Sequence, residues 1–449
     1  MLRLVILGLP IFLRFRLRPW LPVGISQIEV TNAETLAEFY QRFQAGKVRL
    51  LFAFRHVEVD DPLCLIYLFS RTLPRTARKL GISLRYPFYS HPIYDRGMLL
   101  WGGKWLGWLF SKWGAIPIHR GKPLDREAIR AARDLLVNGT MPVAIAPEGA
   151  TNGHSERLSP LKSGVAQLGW WCVEDLQKAN RSEEVFIVPV GIQYSYITPP
   201  WSKLDRLLGT LEADLGLTVS CIGSSAGEKD KEIFYQRLLN LGEAAISQME
   251  AFYRDYYQCQ FPEPPSCDTP AETLEIRLRA LLETALHLCE SYFDLQGKGT
   301  LSDRCRRIEE AGWNRIYCQN KDEVVSPVRR GLEDWMAHES AIRMQHMRLV
   351  EGFVAVTGTY LREKPSIERF AETALLIFDA IAHLKGITIP RRPRLGWRKS
   401  HLTIGAPISV TQFWLKCQED SPKKYRQATK KAVNDITTQL QIALQDTIV

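Results

Sequence analysis

The feature that most narrows the fold is an alternation. From about residue 47 to residue 196, short β-rich runs take turns with amphipathic helical stretches. VRLLFAF, AIPI, PVAIA and VFIVPVGIQYSY read as strands; PLCLIYLFSR, LDREAIRAARDLLVNG and SGVAQLGWWCVEDLQKA read as helices. Strands that alternate with helices pair in parallel, because each helix carries the chain back across a face of the sheet. The expected fold class is therefore α/β, a mainly parallel sheet covered by helices. In such sheets the chemistry gathers in loops at the carboxyl ends of the strands.

From about residue 227 the character changes. Helical patterns cover Lys229–Tyr257, Ala271–Leu295, Val328–Leu361 and Ile367–Lys385, broken by FPEPPSCDTP and GKGT. ITIPRRPRLGW reads as a linker, HLTIGAPISV as a strand and turn, and Lys424–Gln445 as a last helix. This gives four regions: 1–30 apolar and basic, 31–226 α/β, a largely α-helical 227–390, and 391–449 with the final strand and helix. No internal repeat or low-complexity tract interrupts them.

At 449 residues the chain is long enough for two or three cores. Its net charge of +9 calls for an anionic partner: nucleic acid, an anionic membrane or a phosphorylated substrate. The nine Cys are scattered and odd in number, which fits free thiols in a reducing compartment. No Cys/His cluster has zinc-ligand spacing, so no metal site is expected.

Two stretches point to a membrane surface. The apolar run Leu4–Leu13 contains Pro10 and is too short for the roughly 20 residues that span a bilayer. Arg3, Arg14, Arg16 and Arg18 surround it, and Trp20 follows, a composition suited to lying at an anionic lipid interface. The alternative is an apolar arm packed on the domain. In Met98–Trp113, Trp101, Trp105 and Trp108 share one helical face, with Lys104 and Lys112 nearby. A core-facing stripe would need fewer apolar residues than Leu99, Leu100, Leu106, Leu109 and Phe110 supply, so membrane contact is the favoured reading.

The chemistry concentrates where strands end. After the first run comes RHVEVDDP, Arg55 to Pro62. Asp61 followed by Pro62 reads as an N-cap and first helical residue, so His56 and Asp61 flank one tight strand-to-helix turn. A carboxylate bonded to one imidazole nitrogen fixes the tautomer and leaves the other as a general base. The spacing alone is common. What adds weight is its company: Arg120 after AIPI, Pro147-Glu148-Gly149 after PVAIA, and Pro189-Val190-Gly191 after VFIV.

This ordered set resembles the glycerolipid acyltransferase family, which includes lysophosphatidic acid and glycerol-3-phosphate acyltransferases. His56 and Asp61 match its H-x4-D block, and Gly114-Ala-Ile-Pro-Ile-His-Arg120 its Arg block. Pro147-Glu148-Gly149 with Pro160-Leu-Lys162-Ser-Gly164 matches the third block, and Val188-Pro189-Val190-Gly191 the fourth. The resemblance spans about residues 47 to 196. It implies that His56 deprotonates an acceptor hydroxyl for attack on an acyl thioester, with Asp61 orienting it. Arg120 would bind acceptor phosphate, which its fork geometry suits. Glu148 and Gly149 would position the acceptor, Lys162 would add a phosphate contact, and Pro189 would shape its strand. Two positions depart from the family pattern. Arg55 stands where a small polar residue is usual, and Ala150 where Thr is usual. Both bear on acceptor identity more than on acyl transfer.

Leu402-Thr-Ile-Gly405-Ala-Pro407-Ile408 also resembles the family's closing strand. It implies that 227–390 is an insertion in a discontinuous catalytic domain; the alternative is a separate C-terminal domain. The implied activity is transfer of a fatty acyl group to a glycerolipid-type acceptor in phospholipid biosynthesis. No bound cofactor is expected, with acyl-CoA or acyl-acyl carrier protein as donor. Expected partners are membrane lipids and acyl carrier protein, not nucleic acid, at the cytoplasmic side of a membrane, peripheral or embedded in its interface. The competing class is a non-catalytic lipid-binding protein on the same fold. Oligomeric state, acceptor and chain length are left open.

Overall fold

The computed structural model describes residues 2–15, 24–95, 104–118, 125–149, 151–265, 267–317, 326–354, 358–387, 390–418 and 422–448. The chain divides into two compact units. One comprises Met1–His119, Leu124–Thr198 and Gly396–Val449, the other Arg120–Pro123 and Pro199–Leu395.

The first unit opens with α1 (Leu2–Arg14), β1 (Ile25–Thr31), α2 (Ala33–Gln44), β2 (Val48–Phe54) and α3 (Asp61–Tyr67). A π-helical turn, Leu68–Thr72, joins α3 to α4 (Leu73–Lys79). Pro74 has no N–H to continue the α-helical ladder there. Then come β3 (His91–Asp95), α5 (Lys104–Lys112), β4 (Ile116–Ile118), α6 (Arg126–Asn138), β5 (Val143–Ile145), α7 (Gly164–Lys178) and β6 (Glu184–Tyr196). The second unit holds α8 (Trp201–Asp214), α9 (Lys231–Tyr257), α10 (Pro270–Phe293) and α11 (Leu301–Tyr317). It continues with α12 (Pro327–Val354), α13 (Gly358–Glu363) and α14 (Ile367–Leu384). The chain then returns to the first unit with β7 (Arg398–Ile404), β8 (Ile408–Ser409), α15 (Val410–Gln418) and α16 (Pro422–Gln445).

Among the described residues, eight strands form one sheet in the order β1-β7-β6-β2-β5-β3-β4, with β8 paired to β6. β6, β2, β5, β3 and β4 pair in parallel. β7 runs antiparallel to β6 and parallel to β1, so the sheet is mixed but mostly parallel.

All seven residues of β2 are buried, as a central strand covered on both faces requires. Successive side chains point to opposite faces. Leu50, Phe52 and Phe54 enter one core with Leu36, Tyr40 and Phe69. Leu51 and Ala53 enter the other with Trp170, Val173 and, from the returning segment, Val433 and Leu440. The returning segment thus contributes to this core and places β7 between β1 and β6.

Polar caps finish the elements. Asp125 accepts the Ala128 N–H at 3.2 Å to start α6. Arg49, buried in β2, donates to the carbonyls of Leu136 at 2.6 Å and Gly139 at 2.8 Å where that helix ends. Orphan carbonyls at a helix C-terminus attract such a cation.

The second unit is helical throughout its described elements. Leu241, Leu281, Leu286, Phe370 and Ile377 are among its buried side chains. Arg237 on α9 is buried with two acids of α8, reaching Asp205 at 2.5 Å and Glu212 at 2.6 Å. A buried charge is tolerated only when paired in this way.

Candidate active site

The turn between β2 and α3 carries the candidate pair. His56 Nδ1 lies 3.0 Å from Asp61 Oδ2. Asp61 is fully buried, whereas the His56 side chain keeps 19% of its exposure. A carboxylate oxygen accepts, so the bond puts the ring proton on Nδ1 and leaves Nε2 with its lone pair. Nε2 meets no hydrogen-bond partner among the described residues. The helix begins one residue earlier than the sequence implied: Asp60 occupies the N-cap position without a side-chain cap bond. Asp61 is the first helical residue. Its carboxylate is thereby released from capping and turns back over the loop, accepting the Glu58 N–H at 3.0 Å.

Its other oxygen is also held. The Tyr194 hydroxyl on β6 donates to Asp61 Oδ1 at 2.6 Å. Burial, and then the charge of Asp61 beside it, push this phenol well above its ordinary range, so it remains a donor. Cys64 lies beneath, 3.6 Å from the Tyr194 oxygen, and burial pushes its thiol up to about 12.

Glu148 braces the turn from the end of β5. Oε1 accepts the His56 main-chain N–H at 3.0 Å, and Oε2 accepts Asn152 Nδ2 at 2.8 Å and the Ser159 N–H at 2.9 Å. Burial raises this carboxyl above its ordinary value, opposed by the His56 N–H and the Arg55 charge. The main chain joins in as well: the Asn152 and Gly153 N–H groups donate to the His56 and Val57 carbonyls at 3.3 and 3.0 Å. Gly149, at φ 78°, and Gly153, at φ 71°, supply the left-handed conformations this close approach needs.

Lys162 lies on the same loop, half-buried, with its N–H donating to the Pro147 carbonyl at 2.9 Å. Arg120 and Ala150 fall outside the described residues. The structure therefore brings together His56, Asp61 and Glu148, with Gly149 and Lys162 on the adjoining loop.

Three contributions were not legible in advance. Arg55 is fully buried and donates to four carbonyls: Ser155 at 2.5 Å, Arg157 at 2.8 Å, His154 at 3.1 Å and Ile192 at 3.3 Å. It clamps the loop of Glu148 onto β6. Tyr194 shares a strand face with Val188, Val190 and Ile192, and that alternation was the one signal that it faces α3. Arg398, from the start of β7, reaches Glu58 at 2.6 Å and Asp60 at 3.0 Å, and no local pattern marks it.

Among the described residues, no His, Cys, Asp and Glu side chains converge as a metal-binding group, and no helix is long and apolar enough to cross a membrane. In α1, Leu9 and Leu13 are buried in the core, while Ile11, and Phe15 just past the helix end, are more than half exposed. On α5, Trp105 and Trp108 are exposed and Leu106 is buried; Trp101 falls outside the described residues.

Comparison with curated proteins and with solved structures gives no match. The family model described as Acyltransferase matches residues 27–193, a stretch that runs from β1 almost to the end of β6 and contains every block of the site. The strand-end His-Asp pair, the braced Glu-Gly loop and this match converge, and the chain carries a domain of the glycerolipid acyltransferase family over residues 27–193.

Proposed function

We propose that this protein is an O-acyltransferase that moves a fatty acyl group from an acyl thioester to the hydroxyl of a glycerolipid-type acceptor such as lysophosphatidate, serving phospholipid synthesis. The observation that supports it most is the 3.0 Å contact of His56 Nδ1 with a fully buried Asp61, which leaves Nε2 facing away from the carboxylate.

In this reading Nε2 takes the proton of the acceptor hydroxyl as its oxygen attacks the thioester carbonyl. The C–O bond forms, the C–S bond breaks, and the proton passes from the imidazolium to the departing thiolate. Asp61 stabilises the imidazolium while it exists. Arg120 and Lys162 bind acceptor phosphate, where a permanent guanidinium charge is well suited. Both oxygens of Glu148 are engaged by N–H donors, so it shapes the acceptor site through the turn and loop that it joins. Donor thioesters are those of coenzyme A or acyl carrier protein. The exposed Ile11, Phe15, Trp105 and Trp108 support peripheral attachment to a membrane, where both acyl chain and acceptor reside.

The test is single-turnover transfer from labelled acyl-CoA and acyl-acyl carrier protein to glycerol 3-phosphate and a panel of lysolipids. His56→Ala is expected to lose roughly 10²–10⁴-fold while remaining folded. Absence of transfer to every acceptor, combined with flotation on anionic liposomes, would instead establish a lipid-binding protein on this fold.

A further inference from the structure

The turn that separates His56 from Asp61 carries an electrostatic load. Glu58, Asp60 and Asp61 place three carboxylates within four residues, all nearly or fully buried. Left alone they repel, and the backbone joining the catalytic pair would relax to separate them. The guanidinium of Arg398 opposes this. Arg398 donates to Glu58 Oε2 at 2.6 Å and to Asp60 Oδ2 at 3.0 Å, and its guanidinium lies 4.8 Å from the centre of the Tyr194 ring. Tyr194 in turn donates to Asp61 at 2.6 Å. All three acids of the turn are therefore tied, Glu58 and Asp60 to Arg398 and Asp61 to Tyr194. Tyr194 and Arg398 both lie beyond the stretch 27–193 that carries the family resemblance.

We propose that Arg398 and Tyr194 are positioning residues for the His56–Asp61 pair. Arg398 fixes the turn by bridging Glu58 and Asp60. Tyr194 fixes the Asp61 carboxylate, whose Oδ2 is shared between Glu58 N–H and His56 and whose Oδ1 takes only the phenol among the bonds named above. The inference rests on the reading of His56 as the general base. The segment that follows the helical unit is then a working part of the active site, because β7 supplies the cation that holds the turn in register.

The test uses the full chain and four proteins: wild type, His56→Ala, Tyr194→Phe and Arg398→Lys. Tyr194→Phe keeps the ring beneath Arg398 and deletes only the donor. Arg398→Lys keeps the charge, but its ammonium lacks the fork that reaches two carboxylates. For both, kcat is expected to fall about ten- to a hundredfold, a part of the roughly 10²–10⁴-fold that a placed base supplies, with KM for the acyl donor unchanged. In Tyr194→Phe the acid limb of the kcat/KM profile also moves to higher pH, because a carboxylate with fewer donors holds more charge against the imidazolium. A merely structural role would lower the melting temperature and leave the pH profile in place. Wild-type kcat and pH profile in both Tyr194→Phe and Arg398→Lys, beside an inactive His56→Ala, overturns the positioning role alone. A His56→Ala protein as active as wild type overturns the general-base reading and the positioning role together.

Discussion

The carboxylate of Glu148 accepts the main-chain N–H of His56 at 3.0 Å, so the loop that follows β5 holds the backbone of the turn that follows its neighbour β2. Three N–H donors converge on its two oxygens. Glu148→Gln turns one acceptor oxygen into an NH2 group that faces donors. The expected cost is about 1–3 kcal/mol of stability, with a fall in transfer rate that exceeds what reduced stability explains. Urea unfolding beside single-turnover kinetics measures both; unchanged values in each would refute the brace.

Arg55 offers a separate lever, because its four carbonyl partners belong to the loop and to β6 and none of them reacts. Arg55→Met leaves these carbonyls without their charged donor. A loss of about 2–4 kcal/mol is expected, together with faster proteolysis within residues 153–158. Arg55→Lys restores part of it, since one ammonium cannot match a planar fork. Melting curves and mapped cleavage sites decide the matter.

Gly191 belongs to the Val-Pro-Val-Gly block, yet its constraint comes from the far end of the chain. A Cβ there would stand 2.2 Å from Thr447 Oγ1 and 2.4 Å from Thr447 Cβ. Gly191→Ala is expected to destabilise by about 1–3 kcal/mol through overpacking. Thr447→Gly, which removes both atoms, should recover most of that loss in the double variant. Additive losses in the double variant would show that the contact is not the cause.

In the helical unit, His346 sits buried between two phenols. Tyr253 OH lies 2.5 Å from Nδ1 and Tyr257 OH 3.1 Å from Nε2, with Arg343 donating to Tyr257 at 3.4 Å. Burial, then the Arg343 charge, lower His346 from 6.5 to about 4. Its folded value is thus below its unfolded one, and between those values the unfolded chain binds more protons. Stability is full above about 6.5 and is lost as pH falls toward about 4, on the order of 3 kcal/mol in all. Chemical denaturation from pH 7.5 to 4 should show this slope, and His346→Gln should flatten it.

The sequence exposed those parts of the fold whose pattern is local. β2, β4, β5 and β6 are apolar runs that read directly, and α9, α10, α12 and α14 carry helical periodicity. β1 was missed because it lies at the sheet edge, where every residue of ISQIEVT after Ile25 is exposed or half-exposed. β3, HPIYD, has no fully buried residue to mark it. α11 was missed because LSDRCRRIEEAGWNRIY is dominated by charge. Within the site, His56, Asp61 and Glu148 were legible because each follows a strand. Arg398 was not, since its partners stand about 340 residues earlier.

β7 sits between β1 and β6 although the whole helical unit is made before it, and Thr31 meets His401 across 370 residues of chain. During synthesis β1 therefore emerges with no neighbour to pair with, and β6 waits with one edge bare. Both edges stay open to wrong partners until the ribosome has delivered nearly everything else, the situation in which long-range pairing is slow and aggregation competes. The polar alternation of β1 then acts as a safeguard for a strand that must survive unpaired until the chain is nearly finished.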